Sequence, residues 1–306
     1  MSMGFWRRAA GWIAAAALLT GASVAQTEAA ASATAAKAEP AIWSIEKPNG
    51  GTITLFGSVH LLPDGDSWRT AALTAAYKAS DVIVLETDLD AMQDSGLQAY
   101  LAKNALNPPG VTLTTLLTPE QKEAVTKGAA VAGVSFSSMD GFKPWFAALQ
   151  ISVAYAVSQG FSPDQGVDKT IEAEGKADGK AFDYFEKARE QLDLFIELEE
   201  KQQIDFLVLG AQEILEKPDA LKKLVDAWAR GDVTAIDDLM NEGMEDSPEV
   251  AKALLEDRNA RWVKKIQDFY MKDKNSYLII VGAGHLAGDK GVPTMLRGAG
   301  IEVAGP

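Results

Sequence analysis

Thr52-Ile53-Thr54-Leu55-Phe56-Gly57-Ser58-Val59-His60 and Tyr277-Leu278-Ile279-Ile280-Val281-Gly282-Ala283-Gly284-His285 are one phrase written twice: a β-rich apolar run, a Gly-x-x-His turn, then leucine (Leu61, Leu286). Each run reads as a buried strand, and the glycine at its exit lets the backbone turn sharply. Both imidazoles therefore belong just past the carboxyl ends of strands, the edge of an open α/β sheet where ligands bind. They are the only two histidines in the chain. Two such residues brought from opposite ends of a sequence are an efficient way to build one site, against the plainer reading of two ordinary turn or core histidines.

The segments around these phrases extend the α/β reading. Ile42–Ile45 and Thr52–Phe56 flank the turn-rich Lys47-Pro48-Asn49-Gly50-Gly51 and form a hairpin. A helix over Trp68–Ala79 leads to a buried strand, Asp81–Leu85, that ends on Glu86. A right-handed crossover then puts His60 and Glu86 at the same sheet edge. The middle is mostly helical, over Pro119–Ala132, Pro144–Gln159 and a helix led by Gln165-Gly166-Val167-Asp168, before a short strand at Lys180–Tyr184. From Ala188 to Lys272 the pattern is almost wholly helical, with Gly210, Gly231, Gly243 and Pro248 as breakers. Val292–Arg297 is a last helix and Ile301–Ala304 a terminal strand. The fold class is α/β (α+β): a central mixed sheet flanked by many helices, its two histidine phrases marking candidate pseudo-symmetric halves around a helical middle.

Residues 1–25 read as a secretory signal. Arg7 and Arg8 precede a short apolar stretch, and Ser23-Val24-Ala25 offers a small-x-small cleavage site. Residues 26–40 read as a flexible linker, and residues 41–306 as one domain. The expected location is periplasmic or secreted, with no stable membrane anchor after cleavage. No cysteine is present, so no disulfide or thiol nucleophile is available. The net charge of −14, two units more negative without Arg7 and Arg8, disfavours nucleic acid and anionic lipid as partners.

Two imidazoles with one or two carboxylates form a ligand set suited to Zn, Mn or Co. Glu86, at the end of a buried run, needs a metal or a cation such as Arg258 beside it. Glu186 is a second-rank ligand, since the acidic stretch after it also fits a solvated helix face. Asp168 reads as a helix cap or fold-holding acid, and Trp145 as core. Ser58, two residues before His60, is a minor nucleophile option, and no Gly-x-Ser-x-Gly elbow exists.

Taken with Val84-Leu85-Glu86, Gln165-Gly166-Val167-Asp168, Phe185-Glu186 to Gln191-Leu192, and Asp257-Arg258-Asn259 with Trp262, the two phrases resemble the TraB/GumN family over Ile42–Val303. Two wordings depart from that family: Phe185-Glu186-Lys187 stands for Leu-Glu-Thr, and Asp257 for Glu. More distantly the chain is similar to the Tiki metalloproteases and to the erythromycin esterase/ChaN-like fold group. That resemblance implies a metal-dependent, peptidase-like hydrolase acting on a peptide or protein. His60, Glu86 and His285 would be its central trio, Glu186 a further ligand, and Arg258 the group that orients substrate. It leaves two alternatives, a metal-independent esterase and a haem- or cofactor-binding protein without turnover.

Overall fold

A computed structural model describes residues 38–65, 67–244 and 248–306. The expected signal and most of the expected linker lie outside those residues. The last linker residues are held in place, with the Glu39 amide donating to Ala229 O at 2.7 Å. No helix among the described residues is long and apolar enough to cross a membrane.

The strands are β1 (Ile42–Glu46), β2 (Thr52–Ser58), β3 (Leu62–Pro63), β4 (Val82–Leu85), β5 (Phe161–Ser162), β6 (Ala181–Tyr184) and β7 (Tyr277–Gly282). Five form a mixed sheet in the order β1-β2-β7-β4-β6, while β3 and β5 pair separately. Only the β1–β2 hairpin is antiparallel in the large sheet; β2, β7, β4 and β6 run parallel. The last strand in sequence is thus the middle strand in space. Its neighbours differ, an antiparallel hairpin on one side and a parallel pair on the other, so the repeated histidine phrase is not matched by a repeat of the surrounding topology.

Alternation along the strands explains their unbroken apolar runs, because both faces are covered. On one face Phe56, Ile83, Leu85, Leu278 and Ile280 join the large core that includes Trp145, stacked on Phe195 at 6.2 Å. On the other, Ile53, Leu55, Val84, Ile279 and Val281 pack under the helix Asp257–Lys272 through Trp262, Val263, Ile266 and Phe269.

Element ends move where local chemistry overrides the apolar pattern. The first helix is Ala71–Ala79, three residues shorter than expected, because the Thr70 hydroxyl accepts from the Leu73 amide and caps it. Gly210 and Gly243 do not break helices; they lie within Glu200–Glu216 and Val233–Met244. A helical glycine costs only about 1 kcal/mol relative to alanine, which burial of a whole helix face offsets. The terminal strand is absent. Ile301 and Val303 are buried, but a single bridge, Ser44 to Ala304, is all the pairing they flank, and the Arg297 guanidinium takes the Val303 carbonyl instead.

The helices Pro119–Val131 and Glu200–Glu216 approach closely at Gly128, where a Cβ would lie 2.7 Å from Ala211 O and 2.8 Å from its Cβ. Gly128→Ala should force those backbones apart and destabilise by about 1–3 kcal/mol. A lowered urea midpoint with an unchanged denaturant slope would show it.

Candidate active site

Strand register sets the site. Ser58 lies opposite Gly282, and Leu85 lies opposite both Ile280 and Tyr184, so all four parallel strands end at one edge. The residues leaving that edge are His60, His285, Glu86 and Glu186. The structure brings them together, and Gly282 is the point of convergence. A Cβ there would lie 3.2 Å from Glu86 Oε1, 3.5 Å from His285 Cδ2 and 3.8 Å from His60 Nε2. Instead, the Gly282 amide donates to Glu86 Oε1 at 2.7 Å.

Arg258 is the centre of this cluster. A π-helical turn, Lys252–Glu256, delivers it from the start of the helix Asp257–Lys272; such turns recur at functional sites. Its Nε donates to both Glu186 oxygens at 3.0 Å, and its Nη2 to Glu86 Oε2 at 2.6 Å and Glu186 Oε2 at 2.9 Å. Its Nη1 donates to Leu254 O at 3.1 Å and His285 Nε2 at 3.0 Å. Every guanidinium N–H is engaged within the protein. Arg258 therefore holds the two glutamates in place and, contrary to the expected role, has no donor left to orient a substrate. Glu186 is likewise no solvated helix acid: it is buried and also accepts from Arg261 at 3.1 Å and Trp262 Nε1 at 3.2 Å.

The two histidines sit in opposite electrostatic states. Asn259 Nδ2 donates to Lys290 O, which leaves its Oδ1 to accept from His285 Nδ1 at 2.6 Å; His285 Nε2 is then the acceptor from Arg258. Burial and the Arg258 charge push the His285 pKa down to about 3, so the ring is neutral. Trp262 packs against it with ring centroids 4.3 Å apart. His60 Nδ1 lies 3.0 Å from Asp168 Oδ2, close enough for an ion pair though bent away from a linear hydrogen bond. Burial pulls the His60 pKa down, but Asp168 and then Glu86 outweigh it, and the pKa rises to about 9. For Glu86, burial is opposed by Arg258, the two imidazoles and the Gly282 amide, which together hold its pKa at about 2. Glu86 is a carboxylate at every physiological pH and a weak base.

These shifts fix how stability depends on pH. His285 is depressed from 6.5, so its contribution is complete above pH 6.5 and is lost as pH falls towards 3; Glu86 adds to that loss below 4.5. His60 is raised, so its contribution is complete below 6.5 and is lost as pH rises through about 9. Urea titrations should find maximal stability near pH 6.5, with limbs of up to about 1.4 kcal/mol per pH unit. His285→Gln should flatten the acid limb, and an unchanged limb in that variant would contradict the assignment.

Of the two expectations for Asp168, helix cap or fold-holding acid, the structure removes the first. The helix Val167–Ala177 begins after Gly166, and Asp168 makes no cap; it turns instead to His60. Gly166 is what allows this, since a Cβ there would lie 2.6 Å from His60 O, and the Val167 amide donates to Val59 O. The Gly-x-Asp phrase was the available signal. Thr87 and Gln191 were also missed, the latter donating to Glu86 Oε2 at 3.3 Å.

Ser58, His60, Glu86, Thr87 and Asp168, with Leu85, Leu89 and Ile280, enclose a cavity with room for about one water molecule. Four of its polar atoms, Ser58 Oγ, Thr87 Oγ1, Asp168 Oδ1 and His60 Nδ1, are buried without a hydrogen-bond partner. A separate open pocket of about 320 Å³ is lined by Phe185, Glu186, Glu190, Arg261, Trp262 and Lys265.

The donor set does not suit a metal in this arrangement. Both oxygens of Glu86 and of Glu186 and both nitrogens of His285 are engaged, and no group of three or more metal-binding side chains exists among the described residues. A porphyrin fits no better, because His285 has no free nitrogen and the cavity beside His60 is one water wide.

Residues 41–304 match the sequence model of the TraB/PrgY/gumN family. No curated protein and no solved structure matches the chain.

Proposed function

This chain belongs to the TraB/PrgY/gumN family, and from that premise we propose that it is an exported hydrolase of peptide or ester bonds, in which His60 takes a proton from a water held beside it. The carrying observation is the one-water cavity, lined by His60 and by three buried oxygens without a hydrogen-bond partner. A water needs two to four polar partners to be held, and Ser58, Thr87 and Asp168 provide them. Attack on the acyl carbon transfers the water proton to His60, and the imidazolium returns it to the leaving nitrogen or oxygen. Asp168 and Glu86 are fixed before the reaction and favour the positive ring that forms, which is electrostatic preorganisation rather than proton transfer. Glu86 thus assists as a charge, held by Arg258, while His60 is the base. Metal-dependent catalysis, which the family resemblance implies, is not used in any of these steps.

A panel of fluorogenic peptides and aryl esters tests this, read as kcat/KM against pH. Only neutral His60 accepts a proton, so the rate should climb about tenfold per pH unit through neutrality and level off near pH 9. Asp168→Asn removes the main group that raises the pKa and should move that plateau to lower pH. No turnover of any acyl substrate, or a limb that Asp168→Asn leaves in place, would count against the proposal.

A further inference from the structure

The geometry assigns to Arg258 the seat that a divalent cation would take, so that this site binds no resident metal and a side chain of the chain itself supplies the central positive charge. The inference concerns the proposed hydrolytic site, but it is read through metal binding and can fail while the hydrolase reading stands.

Three observations carry it. The first is position. Arg258 Nη2 is 2.6 Å from Glu86 Oε2 and 2.9 Å from Glu186 Oε2, and Nη1 is 3.0 Å from His285 Nε2. A zinc ion bound to those same atoms would stand about 2.0–2.2 Å from each, inside the volume of the guanidinium. The second is anchoring. Arg258 is buried, lies over the Trp262 ring at 4.7 Å and donates to Leu254 O, so it is held from several directions at once. Moving it aside would leave a buried cation without its partners. The third is charge. Three carboxylates, Glu86, Glu186 and Asp168, face Arg258, the imidazolium of His60 and, from the solvent side, the exposed Arg261. The cluster is already balanced, and an added dication would leave it two charges in excess within a buried site.

Calorimetric titration of the untagged protein with Zn²⁺, Mn²⁺ or Co²⁺, together with elemental analysis before and after EDTA, tests the assignment. Wild type is expected to take up no stoichiometric ion and to keep its thermal midpoint in EDTA. Arg258→Met, which removes the donor shared by Glu86 Oε2, Glu186 Oε2 and His285 Nε2, is expected to gain uptake of one of these ions. One ion per wild-type chain, lost in His285→Ala, would overturn the inference. So would a wild-type midpoint that EDTA lowers, and neither readout depends on Arg258→Met folding.

Discussion

Arg258→Ala is expected to lower the unfolding free energy by about 3–5 kcal/mol. The reason is what remains behind. Glu86 and Glu186 are both buried, and Arg258 is the cation they share. Without it, one or both must take up a proton or draw in water, and His285 loses the donor to its Nε2. Glu186 keeps Arg261 and Trp262, so the heavier loss falls on Glu86, whose pKa should rise from about 2. Arg258→Lys should recover only part of the loss, because one ammonium cannot reproduce a planar fork that reaches both carboxylates, a carbonyl and an imidazole. Urea denaturation at pH 7 measures all three proteins. A loss below about 1 kcal/mol in the alanine variant would mean that the buried network does not hold the site together.

His60→Gln should cost less stability and far more turnover, a fall in kcat of about 10²–10⁴-fold with KM little changed. Glutamine keeps a polar group beside Asp168 but cannot accept a proton from water. The pH limb described above should vanish with the histidine, leaving a low, flat profile. That second readout separates a base from a residue that merely holds the pocket, since a packing defect would scale the profile without changing its shape. A variant with full activity would remove His60 from the chemistry.

What the sequence shows of this architecture is what depends on local pattern. Apolar runs mark β2, β4 and β7 with the exits of His60, Glu86 and His285, and glycine marks the turns after β2 and β7, because strand character and a tight turn are short-range properties. The order of the strands is not short-range, and nothing near Tyr277 announces that β7 slots between β2 and β4. Partnerships across the chain were illegible for the same reason. Asp168 opens a helix and looks like its cap; that it faces His60 depends on where that helix docks. Glu186 precedes an acidic segment, so its burial under Arg258, Arg261 and Trp262 was hidden by its neighbours in sequence. The sequence offers Arg258 as a group that orients substrate, and the fold instead surrounds its guanidinium with protein acceptors, whose number appears only once the chain is folded. Between Asp88 and Thr118 the helix Ser95–Ala105 went unassigned because Ala105 is its only buried residue, and no apolar stripe marks it.

The late arrival of β7 has a consequence for how the protein comes into being. Ile53 pairs with Tyr277, and Gly57 with Val281, so the strand edge that carries His60 and Glu86 cannot close until nearly the whole polypeptide has been synthesised. Joining such distant segments is entropically slow, and an incomplete product lacks both the central strand and His285. A chain that stops short of β7 therefore leaves the candidate site unassembled, with β2 and β4 lacking the strand that joins them.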